Sequence, residues 1–530
     1  MVAGLVALPV LALAASALKL DAAAAGILRE MAQTVLPSYA ITSLFLCAAV
    51  AMGVALVGMS TAAAVTLFDF KGRRLFEWAL LLPLAMPAYV SAYAYTDFLQ
   101  FSGPAQTWLR DSFGLQGRVL PEIRSTWGAA LLFIFTLYPY VYLLCRAALA
   151  ERAAHLMEAA RLLGASMRTR MTRVALPLAR PAVAAGVALA LMETLADFGV
   201  ASYFGIQTFS AGIYKAWLAM DNRTAAAQLA LMLLIVVAVL VKIERRAQKR
   251  LRFAQTKGQR AGSQEAQPVR LSGSRQLWAQ LLCAVPIALG FALPVLMMLR
   301  PLIAGGVNID EILPTGWGSF AQWAFNSFKL AGIAALLATF LAIVLAFSQR
   351  RSNNRFTHAI SHVVGLGYAL PGAVIVVGLL LPVGTLQAWQ PEWGAAAWVT
   401  TTALGVVWAY LVRFTAVALQ SMQSGYARIP RNLDDSARLL GAGSGALLSR
   451  VHAPLLKRSA LVAALLVFVD VMKELPATLV LRPFNHDTLA VVAYQLAKDE
   501  RLYEAALPSL ALVAVGLIPV ILLSRSLRKA

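Results

Sequence analysis

Charged residues are scarce in this chain. Asp, Glu, Lys and Arg make up 13% of its 530 residues, about half the share found in a soluble domain of ordinary composition. Hydrophobic residues make up 60%, and they lie in long runs rather than in periodic stripes. A helix that crosses a bilayer needs about 20 mostly apolar residues. The composition therefore excludes a disordered chain, and the long runs predict an integral membrane protein.

The chain also lacks the residue groups that indicate an enzyme. Its three cysteines, Cys47, Cys145 and Cys283, lie far apart, so we predict neither a disulfide framework nor a cysteine-rich metal site. No G-x4-G-K-[ST] sequence occurs, so the chain has no P-loop to hold nucleotide phosphates. No Ser/His/Asp or Cys/His grouping indicates nucleophilic catalysis. We expect a chain that is not an enzyme, binds no cofactor and takes its energy from another chain or an ion gradient.

The apolar runs predict an all-α, polytopic membrane protein with about twelve spans, six in each half. A signal peptide has basic residues before its apolar region. The first run lacks them, so we interpret it as a span. The runs cover residues 1–18, 37–67, 77–101, 127–149, 178–199, 225–241, 277–299, 320–348, 359–382, 394–416, 457–480 and 505–524.

The lysine and arginine residues indicate the orientation. If the N-terminus is cytoplasmic and the spans alternate, the cytoplasmic loops hold 33 of the 46 Lys and Arg residues, and the opposite loops hold 11. Basic residues are retained in short cytoplasmic loops of membrane proteins. Both termini are therefore predicted to be cytoplasmic. The same bias accounts for the formal net charge of +21, so we expect the lipid bilayer, and not nucleic acid, as a partner.

A polar, basic segment at residues 242–275 divides the chain. Its content of Gln, Ser, Gly, Lys and Arg is typical of a cytoplasmic linker. We predict a first six-span domain at residues 1–241, with its core at about 40–241, and a second at 276–530, with its core at about 320–525. Because six is an even number, both domains insert with the same orientation, which makes them parallel repeats.

An internal repeat is visible within the sequence. EAARLLGASMRTRMTRVALP (158–177) and DSARLLGAGSGALLSRVHAP (435–454) lie between the fourth and fifth predicted spans of their halves, at a constant offset of 277 residues. The identical pairs are Ala160/Ala437, Arg161/Arg438, Leu162/Leu439, Leu163/Leu440, Gly164/Gly441, Ala165/Ala442, Arg173/Arg450, Val174/Val451 and Pro177/Pro454.

Each copy predicts a helical knob on the cytoplasmic surface. Glu158 and Asp435 place an acid in the first turn of a short helix, which suits the helix dipole. Gly164 and Gly441 permit a sharp turn, and a second short helix ends at the proline that opens the next span. Such a knob can dock in a groove of a partner protein. A single copy would favour an ordinary amphipathic loop, but two matched copies favour docking.

The pattern E-A-A-x3-G-x9-[IV]-x-L-P in the first copy resembles the cytoplasmic motif of the permease subunits of ATP-binding-cassette (ABC) importers. The resemblance implies the type I importer permease fold, in which each knob is a coupling helix that docks on a separate ATPase subunit. The second copy departs from the pattern at Asp435, Ser436 and Ala453, which are mild changes. The coupling role carries over to Glu158, Ala159, Ala160, Gly164, Pro177, Asp435, Ala437, Gly441 and Pro454.

Three flanking stretches are similar to the fused, two-domain permeases of ferric-iron importers. They are GRRLFEWALLLPLAMPAYVSAYAY (72–95), ALMETLADFGVASYFG (190–205) and DVMKELPATLVLRPFNHDTLA (470–490). The resemblance implies that the chain moves ferric iron from a periplasmic binding protein across the bacterial inner membrane, while two copies of an ATPase subunit hydrolyse ATP. Thiamine and phosphonate permeases share this architecture and remain alternatives. A secondary transporter of the major facilitator superfamily is a further alternative, because residues 69–74 partly resemble a loop motif of that family.

Four acidic residues are predicted within the membrane. The same offset of 277 aligns Glu193 with Asp470 and Asp197 with Glu474, and Lys473 lies beside the last of these. A charge at the bilayer centre costs roughly 3 kcal/mol or more, so such residues usually face a cavity or a partner. These acids could line the translocation path and attract a cation with their oxygen atoms. Alternatively they are structural, with Lys473 paired to Asp470 or Glu474.

Overall fold

α-Helices form nearly all of the regular structure in the computed structural model, which describes residues 2–16, 22–150, 154–258, 268–303, 316–351, 354–427 and 429–529. The helices of the first half are α1 (Val2–Ser16), α2 (Ala22–Gln33), α3 (Leu36–Leu67), α4 (Arg73–Ala79), α5 (Ala88–Leu99), α6 (Pro104–Phe113), α7 (Thr126–Ala148), α8 (Ala154–Leu162), α9 (Met167–Arg170), α10 (Leu176–Ala196), α11 (Gly199–Phe204), α12 (Phe209–Tyr214) and α13 (Arg223–Gly258).

The second half follows the same order of long and short helices. They are α14 (Ser274–Ile287), α15 (Leu293–Ile303), α16 (Gly316–Arg351), α17 (Arg355–Val364), α18 (Gly372–Trp389), α19 (Ala395–Thr401), α20 (Ala403–Tyr426), α21 (Asn432–Leu439), α22 (Ser444–Ala446), α23 (Ala453–Met472), α24 (Pro476–Leu481), α25 (Leu489–Lys498) and α26 (Leu502–Lys529). Short 3-10 turns cover Leu82–Ala85, Gly367–Ala369 and Pro391–Trp393, and π-helical turns cover Met171–Ala175, Lys215–Ala219, Ala288–Ala292 and Leu447–His452.

The predicted spans coincide with these helices. Among the described residues, nine helical segments are long and apolar enough to cross a bilayer: Leu36–Leu67, Thr126–Ala148, Met167–Ala196, Arg223–Ala247, Ser274–Arg300, Gly316–Arg351, Gly372–Trp389, Ala403–Tyr426 and Leu502–Leu522. A tenth would be a pair of segments, Arg73–Ala85 and Ala88–Phe113, that meet at 90°. The other two predicted spans contain α1, of 15 residues, and α23, which carries three charged residues. The all-α membrane fold is confirmed.

Proline breaks the third predicted span of each half. In the first half a 3-10 turn ends at Ala85, and Pro87 stands immediately before α5. In the second half a 3-10 turn ends at Ala369, and Pro371 stands immediately before α18. Proline has no backbone N–H and a fixed φ, so it interrupts a helix but is accepted at the start of a new one. Each third span is therefore two helical pieces rather than one rod.

The described chain forms two compact units, and each draws on both halves of the sequence. The first-copy unit, named for the repeat copy it contains, comprises Gln33–Ala211, Ile235–Ile312 and Ala493–Ala530. The second-copy unit comprises Met1–Ala32, Gly212–Leu234 and Leu313–Val492. The six-span domains were predicted from the two halves of the sequence, whereas each compact unit combines segments of both halves. The division into two six-span repeats therefore stays a prediction.

The two units have matching cores. In the first-copy unit α3, α7 and α10 pack together, α14 packs against α3 and α4, and α15 packs against α5. In the second-copy unit α16, α20 and α23 pack together, and α1 packs against α18. Small side chains on the packed faces allow close approach of membrane helices. On α16 this buried stripe is alanine-rich: Ala331, Ala334, Ala335, Ala338, Ala342 and Ala346.

The predicted linker contains more regular structure than its composition indicates. Helix α13 continues to Gly258, well past its apolar part. Within the first-copy unit the short strands β1 (Phe68–Asp69) and β2 (Val269–Arg270) pair in parallel. The end of the linker is thus attached by backbone hydrogen bonds to the loop after α3.

Candidate functional site

The first copy of the repeat folds into a helix that ends in a tight turn. Helix α8 ends at Leu162, and Gly164 takes a φ of +79°. The N–H of Ala165 donates to the carbonyl of Ala160 at 2.9 Å, and the N–H of Gly164 donates to the carbonyl of Arg161 at 3.0 Å. This pair of bonds is the Schellman closure, which satisfies carbonyls that the end of a helix leaves without partners.

The second copy repeats this turn atom for atom. Gly441 takes a φ of +82° at the end of α21. The N–H of Ala442 donates to the carbonyl of Ala437 at 2.9 Å, and the N–H of Gly441 donates to Arg438 at 2.9 Å. A Cβ at either glycine would meet nothing within 4 Å, so the left-handed backbone alone requires glycine. The glycine turn predicted from the sequence is present in both copies.

The part of each knob after the turn differs from the prediction. The expected second helix was to end at Pro177 or Pro454. Instead α9 continues through the turn Met171–Ala175 into α10, and α22 continues through Leu447–His452 into α23. A proline ring crowds the carbonyl four residues before it, and the wider π-helical turn in front of each proline accommodates that ring. The knob is therefore continuous with the span that follows it.

Both knobs present adjacent leucines. Leu162 and Leu163 are 85% and 87% exposed, and Leu439 and Leu440 are 89% and 88% exposed. These side chains lie outside the predicted spans, so lipid does not account for their exposure. Apolar patches outside the membrane mark surfaces that contact another protein. The offset of 277 relates the two pairs, so the same surface occurs twice.

The other predicted coupling residues lie on the same short helices. The prediction that Glu158 lies in the first turn of its helix is wrong, because α8 already includes Ala154 and Glu158 lies a full turn later; its side chain is outside the described part of the chain. Asp435 is exposed in the first turn of α21, 3.8 Å from Arg438. Pro177 and Pro454 occupy the first turns of α10 and α23, as predicted. The structure thus places these residues on one segment in each copy, and their coupling role stays a prediction.

The sequence analysis missed a buried ion cluster beside the second knob. Asp434, the neighbour of Asp435, is 6% exposed. Its carboxylate accepts hydrogen bonds from Arg350 Nε at 2.7 Å and Nη2 at 3.0 Å, and lies 3.0 Å from His452 Nε2. Burial by itself raises the pKa of the Asp434 carboxyl, but the hydrogen bonds from Arg350 and His452 outweigh it and hold the pKa below its usual range. The sequence shows two adjacent aspartates on a short helix and does not indicate which of them is buried.

Two of the four predicted membrane acids cap short helices. Asp197 Oδ1 accepts from the N–H of Val200 at 2.8 Å, at the start of α11. The carboxylate of Glu474 accepts from the N–H of Ala477 and of Thr478, each at 2.9 Å, at the start of α24. These N–H groups are the donors that a helix N-terminus leaves without partners. The equivalence of Asp197 and Glu474, predicted from the offset, extends to their hydrogen bonds.

Glu474 has an additional cationic partner. Arg413 Nη1 lies 3.5 Å from Glu474 Oε1, and both side chains are almost fully buried. The structural alternative named Lys473 as a partner, whereas this ion pair of Glu474 is made with Arg413 on α20. Glu193, Asp470 and Lys473 are half-buried. Whether any of the four acids lines a path stays a prediction.

Within the described ranges no three His, Cys, Asp or Glu side chains come together as a metal site. The candidate site thus consists of the two knobs with their exposed leucine pairs, and of the buried polar cluster beside the second knob.

A family model decides what kind of protein has these features. The model described as "Binding-protein-dependent transport system inner membrane component" matches this chain twice, at residues 54–253 and 338–530. The chain belongs to this family. It is a fused permease with two copies of the domain in one polypeptide, which confirms the ABC importer class and rules out the major facilitator alternative.

Relatives of known name are also permeases. An Fe(3+)-transport system permease protein of Haemophilus influenzae is 25% identical over 492 residues, covering 91% of this chain and 88% of that protein. A probable ABC transporter permease protein of Sinorhizobium fredii is 24% identical, covering 92% of this chain and 86% of that protein. A sulfate transport system permease protein of Escherichia coli is 32% identical, but over 27% of this chain and 49% of its own length.

Family membership confirms several predictions in their general form. The permease is a multi-pass membrane protein and a transport component rather than an enzyme. Its relatives work in inner-membrane transport systems that depend on a binding protein.

Proposed function

We propose that this permease carries ferric iron from a periplasmic binding protein into the cytoplasm, driven by two copies of a separate ATPase subunit. The two knobs, residues 158–177 and 435–454, are the coupling segments on which these subunits dock. The observation that carries the proposal is the duplication of one backbone turn, hydrogen bond by hydrogen bond, beside two exposed leucine pairs.

The coupling segments have the properties that a docking element needs. Each presents a short helix whose end is fixed by two backbone hydrogen bonds, so little conformational entropy is lost when a partner binds. Each offers two leucines that a groove in the partner would remove from water, a gain of about 25 cal/mol per Å² of apolar surface. Two equivalent elements in one chain match two copies of one partner.

Energy reaches this chain through its partners. Because the sequence contains no P-loop, nucleotide binds to the ATPase subunits, and no cofactor is assigned to the permease. The bias of Lys and Arg puts both termini and both coupling segments on the cytoplasmic side, which is the side on which ATP is available. The membrane is the bacterial inner membrane. Closure of the ATPase pair then shifts the spans between outward-open and inward-open states.

Coverage of the relatives favours ferric iron as the substrate. The iron-named relative aligns over nearly the whole chain, whereas the sulfate-named relative aligns over about a quarter. Thiamine, phosphonate and sulfate are the substrates against which this choice must be tested. Glu193, Asp197, Asp470 and Glu474 would supply the negative field that attracts a cation, with Asp197 and Glu474 also holding the backbone of the path.

Uptake of labelled ferric iron by cells that lack this gene tests the proposal, with labelled thiamine, phosphonate and sulfate measured in parallel. We expect the intact gene to restore ferric uptake alone. Gly164→Asp and Gly441→Asp should reduce that uptake at least about tenfold, because a side chain in the left-handed region costs roughly 1–2 kcal/mol and deforms the turn.

Gly114→Asp is the matched control. Gly114 also has a positive φ, of +63°, with nothing within 4 Å of a Cβ, but it ends α6 in a predicted outer loop. Normal uptake by both knob variants at equal membrane levels would remove the coupling assignment. Restoration of a different substrate would remove the iron assignment and keep the importer.

A further inference from the structure

A buried cluster connects the second coupling segment to all three core helices of its unit. Asp434 lies in the first turn of α21, and Arg350 lies in the last turn of α16. His452 ends the π-helical turn before α23, and Tyr426 is the last residue of α20. These four residues are called the Asp434 cluster below. The ends of α16 and α20 and the start of α23 therefore meet in one buried cluster.

The guanidinium group of Arg350 has every N–H engaged. Two bonds go to the Asp434 carboxylate, at 2.7 and 3.0 Å. Three more go to the carbonyls of Tyr426, Ile429 and Pro430, at 3.1, 2.9 and 3.0 Å. Arginine has five N–H donors in a fixed fork. This side chain is therefore held both by α21, through Asp434, and by the connection between α20 and α21.

His452 completes the cluster from the opposite side. It is fully buried, with Nε2 3.0 Å from Asp434 Oδ1 and Nδ1 3.2 Å from Tyr426 Oη. Both ring nitrogens are thus within hydrogen-bonding distance of a fixed partner. A change in the position of Asp434 would take the carboxylate away from the buried Arg350 and the buried His452, which is strongly unfavourable. The segment and the three helices therefore have to move together.

The first coupling segment cannot form the same cluster. The offset of 277 still matches Phe70 with Phe347 and Arg73 with Arg350. At the positions of Tyr426, Asp434 and His452, however, the first half has Leu149, Met157 and Ala175.

The matching arginine of the first half is engaged elsewhere. Helix α3 ends at Leu67, so Arg73 begins the next helix, α4, instead of extending α3. Its Nε bonds the carbonyl of Val65 at 2.7 Å and lies 3.2 Å from Glu77. Glu77 also pairs with Arg146 at 3.4 Å. Arg73 thus connects α4 to the end of α3, and Arg146 connects α7 to α4.

We propose that Asp434 is a positioning residue that makes the second coupling segment one rigid body with α16, α20 and α23, while the first segment, with Leu149, Met157 and Ala175 at the matching positions, cannot form this cluster. The two segments therefore transmit motion unequally, and the second is the stiff one. The mechanical consequence rests on the proposed coupling function, but the difference in rigidity does not.

Backbone hydrogen exchange of the purified full-length permease in detergent tests the rigidity directly. Residues 435–443 and 158–166 are followed side by side, so the first segment is an internal reference. Asp434→Asn should accelerate exchange in 435–443 about tenfold and leave 158–166 unchanged. Asp111→Asn, which removes an exposed acid from α6, is the control and should change neither segment. Equal acceleration of both segments, or no acceleration, would overturn the proposal.

Two milder variants keep the test decisive if Asp434→Asn does not accumulate. Tyr426→Phe removes only the hydroxyl group that faces His452, and Arg350→Lys keeps the charge but loses the fork. Both should accelerate exchange in 435–443 by a smaller factor of about threefold, again with 158–166 unchanged. An acceleration that spreads over the whole chain would indicate general destabilisation and would contradict the proposal.

Ferric uptake separates this inference from the proposed function. At equal membrane level and with the ATPase subunit still copurifying, Asp434→Asn should lower uptake at least about fivefold, and Arg350→Lys should be intermediate. Uptake equal to that of the wild type would refute the positioning role, even if Gly441→Asp abolishes transport. Conversely, normal uptake by Gly164→Asp and Gly441→Asp would refute the coupling function without altering the exchange result.

Discussion

The two coupling segments have the same backbone and different attachments. Their glycine turns agree in φ to within a few degrees and in both closing hydrogen bonds, and their leucine pairs are equally exposed. Behind this shared surface the second segment has the Asp434 cluster, whereas the first has Leu149, Met157 and Ala175 at the matching positions. The surface that faces a common partner is thus retained, while the attachment to the spans has diverged.

The membrane acids show the same division. Asp197 and Glu474 each accept from the N–H groups three and four residues later, so the capping task is common to both halves. Glu474 also has Arg413 beside it, 3.5 Å away and largely buried. At the position of Arg413 the first half has Thr136, whose hydroxyl bonds the carbonyl of Leu132 within α7. The two acids thus cap the backbone of their helices in the same way, whereas the side chains at the Thr136 and Arg413 positions differ between the repeats.

The largest expected effect breaks the shared part of the comparison. Replacing both leucines of one knob by serine, Leu162→Ser with Leu163→Ser or Leu439→Ser with Leu440→Ser, should halve the amount of ATPase subunit that copurifies and reduce uptake more than about tenfold. Burying a leucine at an interface is worth about 1.5–3 kcal/mol, so losing two removes much of a docking site. Membrane level of the permease should stay the same, because these side chains are exposed.

The control for the leucine variants is another pair of exposed apolar side chains elsewhere. Trp108 and Phe113 on α6 are 62% and 65% exposed, and their replacement by serine should leave ATPase copurification unchanged. If the knob variants copurify normally and the α6 variants do not, the docking surface has been assigned to the wrong place.

A second prediction sharpens the comparison of the acids. Glu474→Gln should lower the free energy of unfolding by about 3 kcal/mol, because it removes the carboxylate charge 3.5 Å from the buried Arg413. Asp197→Asn should cost about 1 kcal/mol, the usual value of an N-terminal cap. Thermal unfolding of the purified protein in detergent, followed by tryptophan fluorescence, measures both. Equal losses would show that Arg413 does not distinguish the two sites.

The smallest expected effect concerns the residue after each glycine turn. Ser166 Oγ accepts from the N–H of Thr169 at 3.3 Å, whereas Gly443 stands at the matching position with no side chain. Ser166→Ala should destabilise the first segment by about 1 kcal/mol, and Gly443→Ser should stabilise the second by a few tenths of a kcal/mol. Local hydrogen exchange at 167–170 and 444–447 reports each change. A loss of stability from Gly443→Ser would contradict the equivalence of the two caps.

The fold class and the glycine turns were predictable because they depend on local information. An apolar run of about 20 residues can satisfy its backbone in a bilayer only as a helix, so the spans follow from composition. A left-handed residue after a helix is usually glycine, so Gly164 and Gly441 indicated the turns directly. The continuation of α9 and α22 through the prolines was not predicted, because a π-helical turn leaves no sequence signal beyond the proline itself.

The sequence by itself determined a polytopic membrane protein, a duplicated knob and an equivalence of Asp197 with Glu474, since each rests on run length, spacing or offset along the chain. Only the tertiary structure decided which acid of the pair Asp434 and Asp435 is buried, that Arg413 is the cation beside Glu474, and that α1 packs on α18 while α15 packs on α5. Those outcomes depend on contacts between residues 60 or more positions apart, and such contacts are set by how helices pack rather than by the order of residues within them.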